Sequence, residues 1–269
     1  MKDIKHKFKP GEKLSRAEAD ELLDELYAWT DGVFQREIVH GDFMSRLASG
    51  TLPMDTVRLF WANWYYFVSE INNFHGITYQ RFLGFFKRYP DLLAAYADKI
   101  ADELIHPRAP GHIAVVIEQG KNFGLSEEEM LECEMLPEPR AWTEWFRGLA
   151  YEGNLAEWWA AHQVEQCIGQ WAAMCRKALR QHYGFSDADL VYFQVHEEAD
   201  LEVHEGGIIP HAEFNRITLR HLLESGMADM RPGFSIGYCA RMTMAYFRWF
   251  LDGCYAGSGA AEKTPAGVR

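Results

Sequence analysis

Little in this sequence points to disulfides, export or strands. Its five cysteines, Cys133, Cys167, Cys175, Cys239 and Cys254, are odd in number and form no CxxC or other tight pair. Neither a disulfide framework nor a thiolate metal knuckle is therefore expected, and reduced thiols in a cytoplasmic protein are the simplest reading. The opening Met1-Lys2-Asp3-Ile4-Lys5-His6-Lys7 leads into Pro10-Gly11 without the apolar centre of an export signal. No uncharged apolar run approaches the roughly 20 residues of a membrane helix. Basic residues are outnumbered, 27 Lys and Arg against 39 Asp and Glu, for a formal net charge of −12. That balance argues against nucleic acid or an anionic membrane as a partner. Alternating Val/Ile/Thr runs bounded by hairpin turns are missing, as are an internal repeat and a linker long enough to separate domains.

Apolar and aromatic residues are plentiful: 48% of the chain is hydrophobic and 14% aromatic, with nine Trp, enough for a sizeable core. Their spacing is helical. It predicts helices at roughly 15–30, 33–49, 53–86, 90–105, 112–123, 126–135, 139–151, 154–183, 186–205, 210–226 and 232–255. Ser126 with Glu129 reads as a capping box, Ser186 with Asp189 as a similar acidic start, and Asn154 as a cap for the helix after it. Gly124 and Gly184 are stop residues, and Pro107 and Pro110 end the helix that carries Glu103. One all-α domain over residues 1–255 is expected, a bundle of long antiparallel helices with aromatic filling, followed by a small, polar and disordered tail over 256–269.

The run from Tyr192 to His204 carries the chemistry. Positions four apart on a helix differ by about 40°, so His196 and Asp200 share a face, flanked by Tyr192, Phe193, Ala199 and Val203. An imidazole and a carboxylate turned towards an apolar interior need partners, and a metal ion satisfies both at once; His with carboxylate is a set suited to iron. His204 lies about 80° from His196 on an ideal wheel, and a π-bulge after Asp200 would bring it into register. Two further acids sit on apolar stripes. Glu165 has Trp158, Ala161, His162, Ile168, Ala172 and Leu179 around it on the wheel, and Glu103 has Leu92, Tyr96 and Ile100. His106 or His112 follows Glu103 and reaches the same centre. The candidate metal ligands are thus Glu103, His106 or His112, Glu165, His196, Asp200 and His204. His162 is read as a neighbour of Glu165 rather than a ligand, Glu70 and His75 as packing or supporting residues, and His211 and His221 as surface or packing residues. Cys167 has no base beside it and is not read as a nucleophile. Tyr66, Tyr192 and Arg241 are weaker candidates for holding a substrate, Arg241 sharing a face with Arg248; a surface ion pair is the plainer reading of either arginine.

These stretches resemble the haem-oxygenase-like superfamily, in particular its di-iron oxidases and the related pyrroloquinoline quinone synthase and thiaminase II branches. The resemblance covers roughly residues 30–255. It rests on Trp61-Ala62-Asn63-Trp64-Tyr65-Tyr66, on Asp102-Glu103 through His112 to Phe123-Gly124-Leu125-Ser126, and on Glu165 ahead of Gln181-His182-Tyr183-Gly184. His196-Glu197-Glu198-Ala199-Asp200 and Phe250-Leu251-Asp252-Gly253 complete it. It implies an up-and-down bundle of about seven core helices around a small-molecule pocket. It also implies a ligand set in which Glu103, Glu165, His196 and Asp200 take the di-iron members' places, His112 or His106 supplies the first imidazole, and the final His is displaced by one residue. The synthase branch lacks this acid set, and thiaminase II needs an active-site Cys and a late Glu that this chain does not show.

The function implied is a non-haem di-iron oxidase or oxygenase. Fe(II), two ions per chain, and O2 as co-substrate would oxidise a small amino-acid-like or carboxylate-bearing metabolite, in a cytoplasmic biosynthetic setting. A homodimer is the default assembly, and an external electron donor is a further candidate partner. Two alternatives remain open: a cofactor-free oxidase of the quinone synthase type, and a non-catalytic small-molecule-binding protein of the same fold.

Overall fold

The computed structural model of the chain describes residues 2–106, 108–201 and 210–259, with the backbone alone over 198–201. The described residues form no strand. The helices are α1 (Arg16–Val33), α2 (Asp42–Ala48), α3 (Met54–Phe86), α4 (Pro90–Leu104), α5 (His112–Asn122), α6 (Glu127–Leu131), α7 (Pro137–Glu152), α8 (Leu155–His162), α9 (Glu165–Tyr183), α10 (Val191–Leu201), α11 (His211–Ser225) and α12 (Ile236–Gly257). A π-helical segment, Phe34–Val39, follows α1, and a 3-10 turn, Asp187–Asp189, precedes α10. The described residues pack as an all-α bundle, as expected.

The 33 residues of α3 form the axis of the bundle. Phe67 stacks on Trp142 of α7, with ring centroids 4.2 Å apart and planes 2° from parallel. Trp61 donates its indole N–H to the Val116 carbonyl of α5 at 2.8 Å and meets Tyr192 of α10 edge-on at 5.2 Å. Phe60 contacts Trp171 of α9 and Phe250 of α12. Trp61, Trp64, Trp142 and Trp171 are all buried. Rings of this size remove large apolar areas from water, and tilted pairs add roughly 0.5–1.5 kcal/mol each beyond burial.

The helix starts follow their sequence signals. Ser126 with Glu129 and Asn154 with Glu157 each close a reciprocal capping box. Ser186 and Asp189 do the same ahead of the 3-10 turn. Gly184 ends α9 with φ 78°, a left-handed conformation that glycine adopts without the Cβ penalty.

Four predicted helices are interrupted, that over 53–86 only by a kink at Phe82, with φ −111° and ψ 16°. The stretch 33–49 is a π segment, a turn at His40 and then α2, which starts after Gly41 in an extended conformation. The stretch 186–205 begins as a 3-10 turn, and Leu190 leaves helical geometry before α10. The stretch 154–183 breaks at Gln163–Val164 into α8 and α9. Asn215 of α11 donates its side-chain amide to the His162 carbonyl at 3.0 Å. A side chain inserted into the hydrogen-bond ladder is a recognised cause of a helix break, and it comes from a residue distant in sequence. The break lies in the candidate centre.

Candidate metal centre

A narrow cavity of about 60 Å³ runs between α3, α4, α7, α8, α9 and α10. One wall is a single face of α3: Trp64, Phe67, Val68, Ile71 and His75 recur at helical spacing. Trp142 and Phe146 of α7, Ile168 of α9 and Tyr192 of α10 extend the apolar surface. Five groups of metal-ligating type line the same space: His75, Glu103, His162, Glu165 and His196.

They fall into two clusters, the second of which includes His112 from behind Glu103. In the first, ligand atoms of His75, His162 and Glu165 lie within 4.8 Å of one another. Both imidazoles are buried. The Nδ1 of His162 sits 3.0 Å from the Trp158 carbonyl, which fixes that nitrogen as the N–H donor. Its Nε2 then carries a lone pair, and this buried atom has no hydrogen-bond partner. An imidazole held by one nitrogen with the other left bare is the arrangement of a metal-ligating histidine. Glu165 accepts hydrogen bonds from Lys99 on both oxygens, at 2.8 and 2.7 Å, and from the Asn215 amide at 2.6 Å.

In the second cluster, Nδ1 of His112 lies 2.8 Å from Oε2 of Glu103. The rings of His112 and His196 have centroids 4.6 Å apart. Nδ1 of His196 lies 3.1 Å from the Tyr192 carbonyl, and its ring stacks on that of Tyr192 at 4.0 Å. The end of α4 sets the position of Glu103. Asn72 of α3 donates to its carbonyl at 3.0 Å, and Gly111, with φ 69°, packs so closely that a Cβ there would stand 2.1 Å from the same oxygen.

Burial works against charge on Glu103, yet the neighbouring His112, Lys99 and His75 outweigh it and hold its carboxyl well below the usual range. Glu165 is likewise opposed by burial and drawn down to about 2 by Lys99 and the surrounding histidines. Burial pushes His162 down to about 4 and His196 to about 3. His75 falls well below its ordinary value for the same reason, with the charges of His162 and Lys99 adding to the effect. At neutral pH the cavity therefore presents ionised carboxylates and neutral imidazoles, the protonation states that bind metal.

Of the residues expected from sequence, Glu103, Glu165 and His196 line the cavity and His112 stands behind Glu103. His106 is exposed: α4 stops at Leu104, and the chain turns outward with the His106 N–H on the Ala101 carbonyl. The Asp200 side chain and the whole of His204, with the suggested π-bulge, lie outside the described residues. Tyr192 lines the cavity, whereas Tyr66 donates its hydroxyl to the Leu131 carbonyl away from it. Arg241 is exposed, its guanidinium over the Tyr238 ring, and Arg248 forms surface ion pairs with Glu37 and Asp252. His211 is buried, 3.5 Å from Asp102. His162, read from sequence as a neighbour of Glu165, and His75, read as a packing or supporting residue, stand in the centre. The apolar stripe of α3 ending in His75 was a usable signal. Lys99, one turn before Glu103, and Asn215 were missed, because both act through partners far along the chain.

No curated protein matches the sequence. Among solved structures, the fold is similar to a domain of unknown function with a heme oxygenase-like fold from Shewanella denitrificans OS217, with a TM-score of 0.67, 11% identity and coverage of 92% of this chain and 96% of that one. It is also similar to a TenA homologue from Pseudomonas syringae (TM-score 0.65, 14% identity, 93% and 100% covered). A TenA homologue from P. horikoshii OT3 shows the same likeness (TM-score 0.58, 17% identity, 87% and 98% covered). At such identities the likeness is one of fold. The model of a family described as iron-containing redox enzymes matches residues 58–232, well over half of the sequence, and the chain belongs to that family.

Proposed function

We propose that this protein is a non-haem iron oxidoreductase that uses O2 to oxidise a small molecule held in the central cavity. The observation that carries the proposal is the convergence of His75, Glu103, His162, Glu165 and His196 on one narrow, largely apolar space. The donor set is nitrogen and carboxylate oxygen without thiolate, which suits iron. His75, His162 and Glu165 would hold one ion; Glu103, His112 and His196 offer ligands for another. When bound there, iron supplies the electrons that O2 accepts.

The protein's own part is positioning and exclusion. The Trp158 and Tyr192 carbonyls fix the tautomers of His162 and His196, so that Nε2 is the free base in each. Asn215 and Lys99 orient the Glu165 carboxylate. Trp64, Phe67, Trp142 and Phe146 keep bulk water from the cavity, which strengthens the electrostatic interactions inside it. Among the described residues no arginine lines this space, and Lys99 is paired with Glu165. The substrate portion nearest the ligands is therefore apolar, and any carboxylate it carries lies outside the cavity, without Arg241 as its anchor.

The test is anaerobic loading with Fe(II), followed by metal analysis and O2 electrode measurements. Iron retained by the chain and iron-dependent O2 uptake that is lost in Glu165→Ala and His196→Ala, with helix content preserved, support the reading. A chain that retains no iron would instead fit a cofactor-free oxidase or a binding protein.

A further inference from the structure

Tyr96 stands behind His75. It lies on α4, and its side chain is fully buried. Phe86 of α3, Trp159 of α8 and Phe214 of α11 pack around it, with ring centroids 4.9, 5.2 and 5.5 Å away. Tyr96, Lys99 and Glu103 are buried at helical spacing, so one face of α4 serves the centre. The Tyr96 hydroxyl donates to the His75 carbonyl at 3.1 Å. The same oxygen lies 3.4 Å from Nδ1 of His75. A hydroxyl has one proton to give and lone pairs to accept with. With its proton on the carbonyl, the Tyr96 oxygen is an acceptor for an N–H at Nδ1.

We infer that Tyr96 is the positioning residue of His75: its hydroxyl grips both backbone and ring and holds the imidazole as the Nδ1–H tautomer, leaving Nε2 as the lone-pair nitrogen for the His75–His162–Glu165 triad. The inference rests on the metal-centre reading above for what that lone pair binds. His162 and His196 each meet, at Nδ1, a carbonyl four residues back on their own helix. A carbonyl can only accept, so it sets the tautomer alone. His75 uses a side chain of another helix for the same task. A neutral imidazole carries its proton on either nitrogen, and the hydrogen bond made by one decides the state of the other. The rings packed on Tyr96 hold the phenol in place, so the imidazole follows the hydroxyl and not the reverse.

Long-range 1H–15N correlation spectra of the metal-free protein with labelled histidine read the tautomer directly, the His75 signals being identified by their loss in His75→Gln. Tyr96→Phe removes the hydroxyl and keeps the ring. Tyr183→Phe is the control, because the Tyr183 hydroxyl also accepts a backbone N–H and donates to a carbonyl, both of Leu52 and away from the cavity. The wild type and Tyr183→Phe are expected to carry the His75 proton on Nδ1. In Tyr96→Phe the signals should move to the Nε2–H form or to exchange between the two. Co(II) affinity in anaerobic equilibrium dialysis should fall with it by about 10–100-fold, the usual effect of losing a group that orients a ligand. A loss of packing alone would not move the tautomer. A wild-type His75 protonated on Nε2, or a Tyr96→Phe chain still protonated on Nδ1, overturns the inference and leaves the metal centre standing. A wild type that binds no Co(II) removes the metal reading, while the tautomer signals still decide the role of Tyr96. The wild-type spectrum serves even where Tyr96→Phe fails to fold.

Discussion

The Asn215 side chain does two things at once: its amide donates to the His162 carbonyl and to the Glu165 carboxylate. It thereby fixes both the helix break and the orientation of a ligand. Groups that orient metal ligands typically matter by 10–100-fold in affinity. Asn215→Ala should weaken metal binding by about that factor, measured by competition with a chromophoric chelator, and should cost about 2 kcal/mol in denaturant unfolding through the lost hydrogen bond to a charged group. The buried histidines give the metal-free chain a definite acid response. His162 is held neutral down to about 4 when folded but takes a proton near 6.5 once unfolded. The unfolded state then binds more protons between those values, so stability is full above about 6.5 and is lost as the pH falls towards 4. Denaturant melts of the metal-free protein at pH 7, 6 and 5 should show a loss of order 1 kcal/mol per pH unit from this imidazole. His162→Gln should flatten that slope; an unchanged slope would mean that His162 titrates normally.

At the level of elements, the ends of helices place the chemistry. The turn from α4 to α5 brings Glu103 and His112 together, and Gly111 allows it by combining φ 69° with close contact to the Glu103 carbonyl. Gly111→Ala, at φ 69° and ψ −137°, should destabilise the fold by about 1–3 kcal/mol or more from the backbone strain alone and reduce metal affinity along with it. Glu157 is a contrasting case. It is a fully buried acid on the same helix as His162, but both its oxygens serve structure: it takes the backbone N–H and the guanidinium of Arg231, each at 2.7 Å, and helps to cap α8. Glu157→Gln should cost about 2 kcal/mol and leave the number of bound metal ions unchanged in a dialysis titration. The sequence made most of these helices legible, since caps such as Ser126–Glu129 and stops such as Gly184 are local signals. It did not show the break at Gln163–Val164, because neither glycine nor proline marks it and its cause lies on α11.

Across the whole molecule, the bundle collects acids and imidazoles spread from His75 to His196 into one cavity walled by aromatic side chains. Glu103, Glu165 and His196 were readable from sequence because each interrupts an apolar stripe. His75 sits on such a stripe too, but a lone histidine beside so many aromatic residues reads as packing. Lys99 carried no comparable signal, for its role depends on a carboxylate brought to it by a different helix. If these groups grip metal only in the folded state, saturation should stabilise the chain by about 2.7 kcal/mol at a hundredfold excess over Kd, visible as a rise in Tm that a chelator reverses. The central claim, that these groups share one buried iron centre, is tested most directly by a crystal structure of the anaerobically Fe(II)-loaded protein with anomalous data at the iron edge. The account predicts an iron peak inside the cavity, within bonding distance of His75, His162 and Glu165 or of Glu103 and His196. A cavity without iron in crystals that hold it elsewhere on the molecule would contradict it.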